Sequence, residues 1–459
     1  MDRIALILAA DDGAQMQSGI PKALHTLCGR TMIEHVAHAM NSVCGEVAYV
    51  LGKSSEAVLN CVGRNVPYVL QDPQEGWGTA RAVRAAMQML SGRDGCVVIA
   101  PGDMPLVSEE SLERLVRAVE EDDSAAALLY ATMENPSGYS RIVRDDLGQV
   151  QSVAKNERLT QSLSRIRACN ASVYCVRIDM LMWALPLVKR SEADGLYHLS
   201  DVVGILSGAG YRVQGVKMRD PMECIDVDDC VQLAQASRVM RERINRRLMK
   251  AGVTMIDPDA TYIDSDVQIG SGTRVYPGCV LEAGTVVGKN CKLLPNSRIH
   301  GAKIGDHVTV ESSVILEAEV ESDTTVGPYA YLRPGTRVGS GCRVGDFVEI
   351  KNSSIGDGTK VSHLTYVGDS DLGRDINLGC GVVFVNYDGK VKRRSTVGDH
   401  AFIGCNVNLV APVNVGREAY VAAGSTVTRD VPEGALCVAR ERETIKEGWV
   451  EARREQGKL

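Results

Sequence analysis

One histidine in the chain stands where proton chemistry is conceivable: His363, in Ser362-His363-Leu364-Thr365-Tyr366. An imidazole with an ordinary pKa of about 6.5 gives and takes a proton near neutrality, as a general base must. A lone histidine more often packs or sits at the surface, so its surroundings decide. Arg333 and Lys351 precede it, three coils apart by the repeat count below, and by default such charges are simply solvated. Lys390, Lys392, Arg393 and Arg394 crowd together downstream, a local basic cluster able to receive phosphates. Near the start, the turn after the first apolar run reads Leu8-Ala9-Ala10-Asp11-Asp12-Gly13-Ala14-Gln15-Met16 and is followed by Pro21-Lys22.

The elements that must position these residues differ between the two halves. From Ile263 onward apolar residues recur every sixth position, through Ile269, Val275, Leu281, Val287, Leu293 and Ile299. The ladder resumes with phase shifts at Ile304, Val310 and Leu316, at Val326 to Ile350, at Ile355 to Val367, and at Leu372, Leu378 and Phe384. A six-residue period fits neither a helix nor an alternating strand, but it fits a coil of short strands sharing one interior, a parallel β-helix. Glycine often follows the apolar position, as in Val287-Gly288 and Val344-Gly345, which suits corners needing a positive φ. The period returns at Val397 and continues to Val427, so Val385 to Thr396 must leave the coil as a loop carrying the basic cluster. A β-helix gains nothing from interrupting its core, which marks that loop as functional.

In the first half, Ile4 to Leu8, Val47 to Leu51, Cys96 to Ala100 and Ala126 to Ala131 read as buried strands. Met32 to Met40, Gly78 to Leu90 and Glu110 to Glu121 read as helices between them. The alternation predicts an α/β domain with a mostly parallel sheet that binds a ligand, by default a nucleotide, at its strand C-termini. Val231 to Ala251 reads as a connecting helix with Gly252 at its C-cap. The chain has 459 residues, fourteen cysteines without a Cys-x-x-Cys pair and a net charge of -7. This predicts a cytoplasmic protein with reduced thiols and no zinc site, no membrane span and no general nucleic-acid partner.

The signature turn and Pro21-Lys22, with the six-residue ladder behind them, resemble the bifunctional N-acetylglucosamine-1-phosphate uridyltransferase and glucosamine-1-phosphate acetyltransferase family, over essentially the whole chain. The resemblance implies a Rossmann-like pyrophosphorylase domain at residues 1–229, a linker helix at 230–252, and a left-handed parallel β-helix of hexapeptide repeats at 253–459. It implies uridylyl transfer from UTP to N-acetylglucosamine 1-phosphate with magnesium, acetyl transfer from acetyl-CoA to glucosamine 1-phosphate, a role in cell-wall precursor synthesis, and a homotrimer.

By the same resemblance His363 is the general base of acetyl transfer, and Arg333 and Lys351 hold the sugar phosphate. Tyr366, Asn377 and Lys392 contact the sugar, and Cys380, Asn386, Tyr387, Cys405, Ala423 and Arg440 line the acetyl-CoA site. In the first domain Leu8, Ala9, Ala10, Asp11, Lys22, Gln71, Gly78, Thr79, Ser140, Lys155, Asn170 and Asp228 take nucleotide and sugar positions, and Asp103 and Asp228 take the metal positions. Here the chain departs from the pattern: Asp11 and Ser140 replace glycines, Gln15 an arginine, Lys155 a glutamate, Pro101 a tyrosine and Asp228 an asparagine, and Glu75-Gly76-Trp77 are inserted. Two readings follow. Either both halves are enzymes, with Asp11 turned outward or offset by Lys155, or only acetyl transfer survives on a non-catalytic first domain.

Overall fold

The computed structural model describes residues 2–11, 13–72, 74, 76–155 and 159–459. The chain divides into two compact units, one ending at Arg243 and one beginning at Ile244. Among the described residues no helix is long and apolar enough to cross a membrane, and all fourteen cysteines are free thiols.

The first unit is built on a nine-stranded mixed sheet. Its central strand, Asp2–Ala9, lies between Glu46–Leu51 and Gly95–Pro101, parallel to both. Alternation along that strand sends Ile4 and Leu6 into the core on one face and Ala5 and Ile7 into the core on the other, as expected of a parallel sheet covered on both sides. Helices start where side chains satisfy their free amides. Thr31 caps Met32–Asn41 in a reciprocal capping box with Glu34, and Ser108 caps Glu109–Glu120 by accepting from the Ser111 amide at 3.2 Å.

One expectation changes here, and one is filled in. The pattern from Gly78 to Leu90 forms two helices, Thr79–Ala85 and Met87–Leu90, and Gly78 precedes them at φ 116°, against the Tyr197 backbone, where a Cβ would collide. The sheet also has an antiparallel member: Ala168–Arg177 runs against both Gly95–Pro101 and Ala126–Thr132. That reversal carries Asn170, near its start, to the end where the parallel strands finish.

The second unit is a left-handed parallel β-helix whose short strands stack into three sheets of eleven, ten and nine strands. Strand i pairs with strand i+3, so three strands complete a coil; Arg274–Val275, for example, pairs with Lys292–Leu293. Most strands are two residues long, the first exposed or partly so and the second buried, and the six-residue ladder is that second residue. The helix Cys230–Lys250 precedes it; in this unit its Asn245 donates to the carbonyls of Pro258 and Thr261 at 2.8 and 3.0 Å.

The ladder is misread at one rung: Ile315 is buried, and Leu316 turns outward, because the spacing from Val310 is five residues there. The glycines after the ladder also have another cause. Gly288 and Gly345 do not have a positive φ; a Cβ on either would run into the backbone of the next coil. The positive-φ corners are held instead by residues such as Asn290, Asn296 and Phe347. Buried hydroxyls, unnoticed in the sequence, stitch the coils together. Thr359 Oγ1 donates to Gly373 O at 2.9 Å and accepts from Ile376 N at 3.1 Å.

Gly345→Ala tests this close approach. The added methyl forces neighbouring coils apart at an overpacking cost of about 1–3 kcal/mol, read as a lower denaturation midpoint of the second unit.

Candidate active sites

In the first unit the turn after Asp2–Ala9 packs tightly. Gly13 has φ 72°, and a Cβ there would lie 2.5 Å from Lys22 Cβ. Asp11 is exposed, and its Oδ1 accepts from the Gly13 amide at 2.9 Å. The carboxylate thus takes an amide that could otherwise face an anion. Lys155 does not offset it, being paired with Asp201 at 3.2 Å. Gln15 is exposed, whereas Asp12 and Glu75 lie outside the described residues.

Lys22 is only 5% exposed. Its Nζ stands 2.6 Å from Asp103, 2.5 Å from Asp228 and 3.7 Å from Asp226. Burial works against the charged amine, but Asp103 and then Asp226 outweigh it and hold the lysine protonated beyond its ordinary range. Burial likewise pushes the Asp103 carboxyl up against the pull of Lys22, and the Asp226 carboxyl rises through burial and then the charge of Asp103. Asp226 was missed in the sequence. Its signal is the Asp226-Val227-Asp228 spacing, which in extended chain puts both carboxylates on one side.

A cavity of about 160 Å³ brings together Leu8, Thr79, Ser140, Lys155 and Asn170 of the expected residues, and adds Pro101, Tyr174 and His198. Asn170 donates to the Tyr174 hydroxyl at 2.8 Å, while its Oδ1 is buried without a hydrogen-bond partner. Thr79 Oγ1 accepts from the Leu199 amide at 2.9 Å. Gln71 is buried beside Gly76 and does not line the cavity.

In the β-helix, His363 Nδ1 meets Asp346 Oδ1 at 2.6 Å on neighbouring coils. The hydrogen bond to His363 holds the Asp346 carboxyl below its ordinary range, so it is an ionised acceptor. In the neutral imidazole this bond puts the proton on Nδ1 and leaves the lone pair on Nε2. Arg333 and Lys351 are on neighbouring coils rather than three apart, since eighteen residues complete one turn of three strands. Arg333 is held by Glu349 at 2.8 Å, and Lys351 has a lowered pKa, first because Lys392 lies beside it. Tyr366, between the His363 and Lys351 corners, folds its ring over Gly368, where a Cβ would stand 2.5 Å from its hydroxyl.

The excursion from the coil spans 386–394, shorter than expected, because Val385 and Ser395 both belong to strands. Asp369 fixes its base by accepting from Asn352 at 2.6 Å and from Asn386 at 2.5 Å. Arg394 clamps its far end by a two-point contact with Asp371, both bonds at 2.5 Å. Tyr387 bridges to Lys392 across the loop. Asn377 and Cys380 share one coil and Cys405 and Ala423 follow on the next two, at or beside the His363 corner, and Arg440 approaches Gly424 there.

The chain is similar along its whole length to curated bacterial proteins. It is 45% identical over 454 residues to the "Bifunctional protein GlmU" of Clostridium acetobutylicum, covering 98% of this chain and 99% of that one. The protein of that name from Acetivibrio thermocellus is 45% identical, with 97% of each chain covered. That of Brevibacillus brevis is 44% identical, covering 99% of this chain and 98% of the relative. This chain belongs to the bifunctional GlmU family. Residues 5–167 match the MobA-like NTP transferase domain, residues 317–352 the bacterial transferase hexapeptide, and residues 395–429 the hexapeptide repeat of succinyl-transferase. As a GlmU family member it is an enzyme with a nucleotidyltransferase half and a hexapeptide acetyltransferase half, and both activities belong to it.

The Arg394 clamp has a pH signature. The Asp371 carboxyl is held below its ordinary range, first by its bonds to Arg394. Its contribution is present above the unfolded value of about 3.9 and is lost as pH falls through the lower folded value. Hydrogen exchange at the Arg393 amide, which donates to the Asn386 carbonyl across the loop base, should stay slow through mild acid and accelerate only below that point, whereas in Arg394→Ala it should be fast throughout.

Proposed function

We propose that the β-helix transfers the acetyl group of acetyl-CoA to the amine of glucosamine 1-phosphate with His363 as general base. The Asp346–His363 pair carries this reading. With Nδ1 engaged, Nε2 of this half-exposed side chain takes a proton from the amine as its nitrogen attacks the thioester carbonyl; the C–S bond breaks and the thiolate of CoA leaves, to be protonated in turn. Arg333 and Lys351, side by side at the neighbouring corner, suit a phosphate, and Lys392 adds a third cation. Tyr366 and Asn377 lie on the outer surface near these corners and suit sugar hydroxyls. Cys380, Cys405, Ala423 and Arg440 follow the His363 corner along the coil axis, as an extended cofactor requires, and Asn386 and Tyr387 stand at the base of the clamped loop.

In the first unit we assign uridylyl transfer, in which a phosphate oxygen of N-acetylglucosamine 1-phosphate attacks the α-phosphorus of UTP and pyrophosphate leaves. Leu8, Thr79, Ser140, Lys155 and Asn170 line the small-molecule cavity, with the unpaired Asn170 Oδ1 free for a sugar group. Ala9, Ala10 and Asp11 continue the chain from Leu8, Gly78 precedes the helix that starts at Thr79, and Gln71 stands beside Gly76. Asp103 and Asp226 each keep a buried oxygen without a hydrogen-bond partner, and Asp228 shares Lys22 with them; oxygen donors of this kind suit a magnesium ion, for which the described residues hold no ready-made group of three ligands. Asp103 and Asp228 would hold the ion, which neutralises phosphate charge when bound. Lys22 is the cation of that cluster and is placed to meet a phosphate. The functional division at residues 1–229, 230–252 and 253–459 and assembly as a homotrimer belong to the same proposal.

Two assays test the halves separately. His363→Ala should lower acetylation of glucosamine 1-phosphate by about 100- to 10,000-fold while leaving pyrophosphate release from UTP intact; unchanged acetylation would refute the base assignment. Conversely, Asp103→Ala should abolish pyrophosphate release alone.

The altered turn yields a further expectation. Gln15 leaves transferring phosphate without a preorganised positive charge, and one such stabiliser is worth about 100- to 1000-fold. Gln15→Arg should therefore raise the rate of pyrophosphate release, by up to that factor.

A further inference from the structure

Four successive coils place Asp346, His363, Cys380 and Cys405 at one corner of the β-helix. Asp346 pairs directly with His363, Val361 with Leu378 and Leu378 with Ile403, so the two cysteines each stand two residues beyond a paired rung. The Cys380 carbonyl accepts from the Asn406 amide at 2.8 Å, and a Cβ on Gly379 would lie 2.6 Å from the Cys405 nitrogen. The thiol-bearing residues are thus direct neighbours. Adjacent strands lie about 4.8 Å apart, within the roughly 4.4–6.8 Å between Cα atoms that a disulfide spans.

The other cysteines of this unit are differently placed. Cys279, Cys291 and Cys342 are buried, their thiols donating to backbone carbonyls at 3.2, 3.1 and 3.2 Å. Burial raises all three thiols, which keeps them from the reactive thiolate form. Cys437 sits on the rung beyond Val421, away from this corner. Cys405 is exposed and Cys380 half-buried, and acetyl transfer as proposed consumes neither thiol.

We propose that Cys380 and Cys405 form a hydroperoxide-reactive dithiol that closes to a disulfide beside His363. The Cys380 sulfur, with its proton passed to a base such as the imidazole one coil away, attacks a peroxide oxygen; the O–O bond breaks, an S–O bond forms and the released hydroxide is protonated to water. The Cys405 thiolate then attacks that sulfur, the S–O bond breaks and a second water leaves. Two thiols lose two electrons and two protons, and one peroxide becomes two waters. The effect on activity rests on the acetyl-CoA site proposed above, because the cross-link would stiffen the corner along which that cofactor is placed. The cross-link itself does not depend on that reading.

The full-length reduced protein is treated with hydrogen peroxide, blocked with N-ethylmaleimide and digested without reductant. The expected product is a linked Cys380–Cys405 peptide about 2 Da lighter than its two reduced halves together, with acetyl transfer reduced about tenfold or more and recovered with dithiothreitol. In Cys405→Ser the link cannot form, so the Cys380 sulfenate persists and is trapped by dimedone, while wild-type protein traps little. Absence of the linked peptide, or oxidation spread over Cys279, Cys291 and Cys342, overturns the proposal. If the reduced protein fails to acetylate glucosamine 1-phosphate, the assigned activity falls while the peptide map still decides the dithiol.

Discussion

The second unit depends on one constraint: each coil must sit in register on the one before, amide to carbonyl, without a lateral slip. The Arg333 amide finds the Ile350 carbonyl at 2.9 Å, and the Asp369 amide finds the Lys351 carbonyl at 3.0 Å. A slip would turn ladder residues out of the core. Register therefore fixes more than packing. It sets Asp346 against His363 and Arg333 beside Lys351, so that residues seventeen or eighteen positions apart in the chain become immediate neighbours.

The first unit is organised by charge at the end of a sheet. Lys22 and Asp103 are buried, while Asp226 and Asp228 keep nearly half of their side chains exposed, so three carboxylates and one lysine offset one another at the edge of solvent. The carboxylates outnumber the lysine, which leaves the cluster short of positive charge. Lys22 is held firmly by these carboxylates, and in the nearby turn the Gly13 amide is engaged by Asp11.

Much of the fold was legible because burial is periodic. The ladder from Ile263 to Val427 names the larger inward residues, but each coil also buries a smaller residue two positions ahead of the rung, such as Thr273, Cys279 and Ala302, which the period passes over. What the period could not show is geometry transverse to it. Leu316 holds the sixth position after Val310, but Ile315 is the buried residue, because the corner before it is one residue shorter. The glycines at 288 and 345 answer to the neighbouring coil and not to their own φ, which no local pattern reveals. Likewise His363 and Lys22 stood out by motif, but their partners Asp346 and Asp226 did not, since one is a coil away and the other some two hundred residues away. The fate of Asp11 lay in between. Its position after the first strand was plain, and the turn of its side chain forward onto the Gly13 amide required coordinates.

The stacking also sets an order of assembly. Each coil in the second unit needs only the segment just before it, about one turn of chain, so the unit can grow progressively from its first coil, with little loop entropy to overcome at any stage. In the first unit Asp2 must wait for Gly95 before the central strand is enclosed. One chain therefore joins a half that condenses all at once, after long-range closure, to a half that accretes like a crystal along a single axis.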